Sequence, residues 1–133
     1  MGIQHELPLR ATYVLVVATG IFEDSEAKRV FRDAIEAAAK HNLFKILIDC
    51  RGLRGAPGTV QRFDLSDSVS RFYHQSRVQA PNKAPLRLAV VGSEPLIDRE
   101  RFGETVARNR GVPLKVATSL EEALQWLELD DVD

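Results

Sequence analysis

Residues 12–18 read TYVLVVA, an almost unbroken apolar and β-branched run. A strand with one wet face alternates apolar and polar residues, so a continuous run predicts a strand covered on both faces. Two more runs of this kind follow, FKILIDC at Phe44–Cys50 and LRLAVV at Leu86–Val91, with a short one at Leu114–Ala117. Long segments with helical spacing separate them. Ala27, Val30, Phe31, Ala34 and Ala38 mark a helix that Glu23-Asp24-Ser25 opens with acid and a cap, and that His41-Asn42 stops. A second helix is predicted from about Thr59 to Ser76, with Leu65, Val69, Phe72 and Tyr73 as its stripe. Ala80 to Pro85 is a loop, and a third helix spans Asp98 to Arg110, stopped by Gly111 and Pro113. Ser119 and Glu122 form a capping box for a last helix carrying Ala123, Leu124, Trp126 and Leu127. Ile3 to Leu9, with Pro8 near its end, is a short edge strand, and Gly20 is expected to break the strand before it.

Strands joined by long helices imply parallel neighbours and right-handed crossovers. The fold class is α/β, with four or five strands in a mostly parallel, mixed sheet and four helices. A chain of 133 residues fits one domain, residues 1–133, with a core of its own. Whether helices cover one sheet face or both is left open by the pattern.

Charge is uneven. Residues 51–110 hold 11 basic and 6 acidic side chains, whereas residues 111–133 hold 1 and 6. The basic residues are scattered, without the dense stripe and exposed aromatics that a nucleic-acid surface needs, so none is expected. The longest apolar run falls far short of a membrane span, no apolar leader opens the chain, and the single cysteine, Cys50, suits a reducing cytoplasm.

The segment FKILIDCRGLRGAPGT, residues 44–59, holds the best candidate site. Its strand is read as ending on Asp49, followed by a loop rich in Gly and Arg and then a helix start. In open α/β sheets ligands and partners are read at that end of the strands. Asp49, Arg51, Arg54, Gly58, Thr59 and Arg62 are the candidate binding residues. The three arginines would receive a phosphate or carboxylate, or pair with acids such as Asp24 and Asp64. Thr59 is also a good N-cap in its own right.

Other chemistry is poorly supported. Asp49 resembles a receiver phosphoacceptor, but the acidic pair and the lysine that such a site needs are out of place. His5, His41 and His74 lack metal spacing, Cys50 lacks a CxxC partner or a nearby His, and Gly52, Gly55 and Gly58 do not make a P-loop. No catalytic residue, metal or cofactor is expected. Ser66, Ser68 and Ser70 are read as small packing or solvent-facing residues of the second helix.

YVLVVATGIF (13–22), KILIDCRGL (45–53), RLAVVG (87–92) and ETVARNRGVPLKVATSLEEALQWL (104–127), taken in order, resemble the STAS superfamily and its SpoIIAA-like, STAS/CRAL-TRIO-like bacterial branch. The resemblance implies a non-enzymatic regulatory domain that recognises a partner protein, of the anti-sigma-factor or kinase type, at the loop after the Asp49-ended strand. Switchable members carry Asp-Ser-Ser-Gly there and are phosphorylated on a Ser at the helix start. This chain has Gly55-Ala-Pro-Gly58-Thr59, so Thr59 is the matching hydroxyl. The alternative is a carrier of an anionic or lipid-like small molecule between the second helix and the sheet, with Phe63, Phe72 and Tyr73 framing an apolar pocket. Self-association as a homodimer is a further expectation.

Overall fold

The computed structural model describes residues 2–6, 12–80 and 85–129. Leu7–Leu9, including Pro8, and Pro81–Ala84 of the expected loop lie outside the described residues. Along the rest run β1 (Ile3–Glu6), β2 (Val14–Ile21), α1 (Asp24–His41), β3 (Lys45–Arg54) and α2 (Thr59–Gln79). They are followed by β4 (Arg87–Val91), α3 (Phe102–Asn109), β5 (Leu114–Ala117) and α4 (Leu120–Leu127).

The sheet order is β1-β2-β3-β4-β5, with β1 antiparallel to β2 and the other pairs parallel. Sequential neighbours joined by crossovers of one hand must place every connecting helix on the same face. α1, α2 and α3 accordingly share a core with Val14, Val16, Ile46, Ile48, Leu88 and Val90. Among the described residues only α4, which follows the last strand, covers the opposite face, over Tyr13, Leu15, Leu47, Ala89, Val91 and Ala117. Both faces are therefore covered, and unequally.

The middle helix of the three-helix layer, α2, touches α1 on one side and α3 on the other. Its buried serines serve that position. Ser66 lies against Gly103 of α3 and donates to its carbonyl (3.1 Å), and Ser70 donates back to the Ser66 carbonyl (2.9 Å). Small side chains let two helices approach the same third helix, and their hydroxyls remain bonded.

Several boundaries differ from the sequence reading. Gly20 does not end β2; it sits inside the strand at φ +106°, opposite Ile3. β3 continues five residues beyond Asp49, because a bulge between Asp49 and Gly52 absorbs one residue and lets pairing with β2 resume as Thr19 with Gly52. α3 begins at Phe102 rather than Asp98. Residues 98–101 form a turn in which the Asp98 carboxylate accepts from the Phe102 N–H (3.0 and 3.1 Å), and Arg101 adopts a left-handed conformation. β5 is an edge strand whose outer groups α3 occupies. Glu104 accepts from the Val116 N–H (2.6 Å), and Arg108 Nε donates to the Leu114 carbonyl (2.9 Å).

Only half of the expected capping box forms at α4. Ser119 accepts from the Glu122 N–H (3.2 Å), but the Glu122 carboxylate turns instead to Arg101 (2.8 Å) and Lys115 (3.3 Å). The Arg101 hydrogen bond holds the Glu122 carboxyl below its ordinary 4.5, with partial burial opposing and Lys115 reinforcing. A carboxylate whose folded pKa is lowered stabilises the protein above its unfolded pKa, and that contribution is lost as pH falls through the folded value. Glu122→Gln should thus have a lower urea midpoint than wild type at pH 7, by less than about 1 kcal/mol in stability. The two curves should converge as pH drops below 4.5; a gap that persists unchanged at acid pH would show that the ion pair is not its source.

Candidate functional site

At the carboxyl ends of β2 and β3 the chain makes two turns side by side. Ile21 pairs with Arg54, and the Phe22 N–H donates to the Arg54 carbonyl (2.7 Å), so both strands end at the same level. Gly55 follows at φ +146°, where an added Cβ would stand 2.7 Å from Phe22 Cβ. Only a glycine lets residues 55–58 pass that close to the α1 side.

Gly58, not Thr59, is the N-cap of α2. Gln61 reaches back from the third helical position to accept from the Gly58 N–H (2.9 Å), while glycine at the cap brings no side-chain acceptor for the first-turn N–H groups. Thr59 is the first helical residue, and its side chain is exposed. The first-turn N–H groups of a helix have no intrahelical partner, so this start presents donors to solvent.

The six candidate residues do not form one cluster. Asp49 lies inside β3, its carboxylate accepting from Arg51 Nε (2.9 Å), Arg51 Nη2 (2.8 Å) and the Arg51 backbone N–H (3.1 Å). The bulge removes that N–H from regular pairing, and Asp49 satisfies it. Burial pushes the Asp49 carboxyl up, but the Arg51 hydrogen bonds and charge outweigh it and leave the group below its ordinary value. By strand alternation with Leu47, Asp49 belongs to the α4 face, the side away from α2.

Arg62 is on the α2 side and is fully engaged. It donates to the carbonyls of Leu96 (2.7 Å) and Pro95 (3.0 Å) and stands 3.5 Å from Asp98. Arg54 is exposed at the strand end and forms no ion pair among the described residues. The acids named as alternative partners are not used by these arginines, since Asp64 takes Lys28 (2.5 Å) instead.

The aromatic residues of α2 are also divided. Tyr73 is buried, Phe72 packs half-buried on the core, and Phe63 is 44% exposed beneath Arg110, whose guanidinium is 4.9 Å from its ring centre. Phe63 lies six residues before Val69, a third of a turn round the helix from the core stripe. None of the three is on the wall of the apolar cavity between α2 and the sheet.

An apolar cavity of about 110 Å³ does lie between α2 and the sheet, walled by Phe22, Val30, Phe31, Leu65, Val69 and Ile97, among others. Cys50 is on its wall, and burial pushes that thiol up to about 12, so it is protonated and inert at neutral pH. Among the described residues no three His, Cys, Asp or Glu side chains gather to hold a metal, and no described helix is long and apolar enough to cross a membrane.

The sequence reading passed over Val60, which is 80% exposed in the first turn of α2, and Ile21, which is 58% exposed at the end of β2. The signal for Val60 was available: it is nine residues from Val69, half a turn away from the core stripe, so an apolar side chain there cannot be buried by its own helix.

Comparison with solved structures places this architecture. The crystal structure of an anti-sigma factor antagonist from Mycobacterium paratuberculosis matches 96% of this chain and 95% of its own, with a TM-score of 0.58 at 16% identity. A DUF3478-family protein with a SpoIIAA-like fold from Shewanella loihica PV-4 matches 95% of this chain and 94% of its own, with a TM-score of 0.48 at 18% identity. No family model matches the sequence, and no curated protein matches it. The chain has the STAS-like fold that its sequence motifs led one to expect.

Proposed function

We propose that this is a non-enzymatic STAS-type binding domain that recognises a partner protein at the start of α2 and the adjoining end of β2. The observation that carries this reading is Val60, an apolar side chain left 80% exposed beside the exposed Thr59 on a glycine-capped helix start. Ile21 and Arg54 lie at the neighbouring strand ends and add apolar surface and positive charge. Exposed apolar side chains at a rigid helix start, next to unused backbone donors, suit protein recognition better than catalysis. The partner would be of the anti-sigma or kinase type, which the likeness to an anti-sigma factor antagonist supports; a second copy of this chain is another form it could take. A phosphate on Thr59 would meet the free N–H groups and the helix dipole while placing charge beside Val60, and would so switch the surface.

A photo-crosslinking residue at position 60, in the producing cell, tests the reading, with position 36 on the outer side of α1 as control. One discrete protein adduct at 60 and none at 36 is the expected result. The same adducts at both positions would refute a specific surface at the start of α2.

The cavity beneath α2 favours a second reading, a small-molecule carrier. Its walls are not the aromatic residues expected from the sequence, but its place between the second helix and the sheet is the one expected.

A further inference from the structure

We infer that the cavity beneath α2 takes a compact, uncharged, apolar ligand, no larger than a benzene ring or a short branched alkyl group, with Arg62 as its latch. This rests on the carrier reading and narrows it, because it excludes both the anionic and the long-chain ligands that reading would admit.

Charge decides the first exclusion. The charged side chains on the wall are Arg62 and Asp98, and they already face each other at 3.5 Å. Arg62 spends further donors on the carbonyls of Pro95 and Leu96. An anion would have to displace Asp98, whose carboxylate also holds the Phe102 N–H at the start of α3. It would then lie among apolar side chains with no free donor, an arrangement that penalises a charged group heavily. Ser66, a polar residue on the wall, already donates to the Gly103 carbonyl.

Size decides the second. The volume is about 110 Å³. Apolar cavities of roughly 150 Å³ lined by such side chains stay dry and accept benzene or xenon. A long acyl chain exceeds this volume and would have to run past the rim into water.

The position of the opening identifies the latch. Val30, Phe31, Ile48 and Val69 on the wall are buried, whereas Phe22, Pro57, Arg62 and Asp98 are only half-buried and form the rim. Arg62 ties α2 to residues 95–98 across this rim. Release of those carbonyls by Arg62 would let α2 part from that segment and widen the opening. The rim also adjoins the start of α2, so an occupant would be felt at Thr59 and Val60.

The test is a titration of the full chain with benzene, read from the methyl NMR signals of Ile48, Val69 and Val90, with hexanoate in parallel. Saturable shifts with benzene and at least tenfold weaker binding of hexanoate are the expected results. Ala27→Leu and, independently, Val69→Phe should fill the space and weaken benzene binding at least tenfold while signal dispersion shows an intact fold. Arg62→Ala should speed benzene exchange severalfold. Tighter binding of hexanoate than of benzene overturns the inference and leaves the carrier reading standing. Failure of both probes to bind overturns both. Benzene shifts that persist in two folded, filled variants place the ligand elsewhere and refute the site; an unchanged exchange rate in Arg62→Ala refutes the latch.

Discussion

Leu127→Ala should lower the free energy of unfolding by about 3 kcal/mol, read from the urea midpoint. That is a large part of the 5–15 kcal/mol typical of small domains. Leu127 is fully buried and, with Ala123, belongs to the cluster containing Tyr13, Leu15, Leu47, Ala89, Val91 and Ala117. The opposite face has three helices, but this one has α4 alone, so truncating Leu127 leaves a hole that no neighbouring helix can close. At eight residues α4 is too short to persist without docking. The contacts that remain to hold it are polar ones at its two ends: Glu122 pairs with Arg101 and Lys115, Arg87 pairs with Glu128 (3.0 Å) and stacks 4.4 Å from the Trp126 ring centre, and Lys45 Nζ donates to the Glu128 carbonyl (3.1 Å). Trp126 is the single tryptophan, so its emission should shift to the red along with the loss of stability. A loss below about 1 kcal/mol, with unchanged emission, would mean that α4 is not seated as described.

Gly20→Ala should cost about 2–3 kcal/mol and detach β1 ahead of the rest of the sheet. Gly20 lies at φ +106°, where side chains strain the backbone, and a Cβ there would stand 2.2 Å from the carbonyl oxygen of Gly2. That oxygen accepts the Ile21 N–H (2.9 Å), so relieving the collision breaks the bond that anchors the start of β1. The register Ile3 with Gly20 and Gln4 with Thr19 would open, and Ile3, which is buried against the α1 side, would leave the core. Hydrogen exchange is the direct check. The amides of residues 3–6 should lose most of their protection, while those of β3 and β4 keep theirs apart from the global loss. Uniform loss across all strands would show that β1 is not a separately released element. Neither substitution touches Val60 or Arg62, so a chain destabilised in either way should still show the crosslink at position 60 wherever it is folded.

Much of the architecture was legible in residue pattern. The strands of the parallel sheet, the buried stripe of α1, the stop at Asn42 and the Ser119 cap all follow from contacts between residues two to four apart, and such contacts are written in spacing. Errors arose where a residue with a strong local habit answered to pairing that its own neighbourhood does not specify. Gly20 reads as a strand breaker and is instead the point where β1 lies too close for any side chain. Asp49 reads as a strand end and is instead the acceptor that lets β3 pass through a bulge. Asp98 reads as the first residue of a helix, yet it caps Phe102 from a turn while facing Arg62.

The candidate site divides in the same way. The sequence reading put it at the loop after β3 and the start of α2, where the structure exposes Thr59 and Val60. The convergence of Arg51, Arg54 and Arg62 did not follow. Arg51 answers to a residue two places away, whereas Arg62 answers to carbonyls 33 and 34 places away. Composition and periodicity thus determined which segments become strands and helices, in what order, and which side chains must leave water. Tertiary structure alone decided which face each helix covers, where the long cationic side chains end, and that a cavity opens under α2. The reason is one of range. Hydrophobic spacing acts within a turn or two of chain, but a cavity or a latch exists only once segments far apart in sequence have closed on one another.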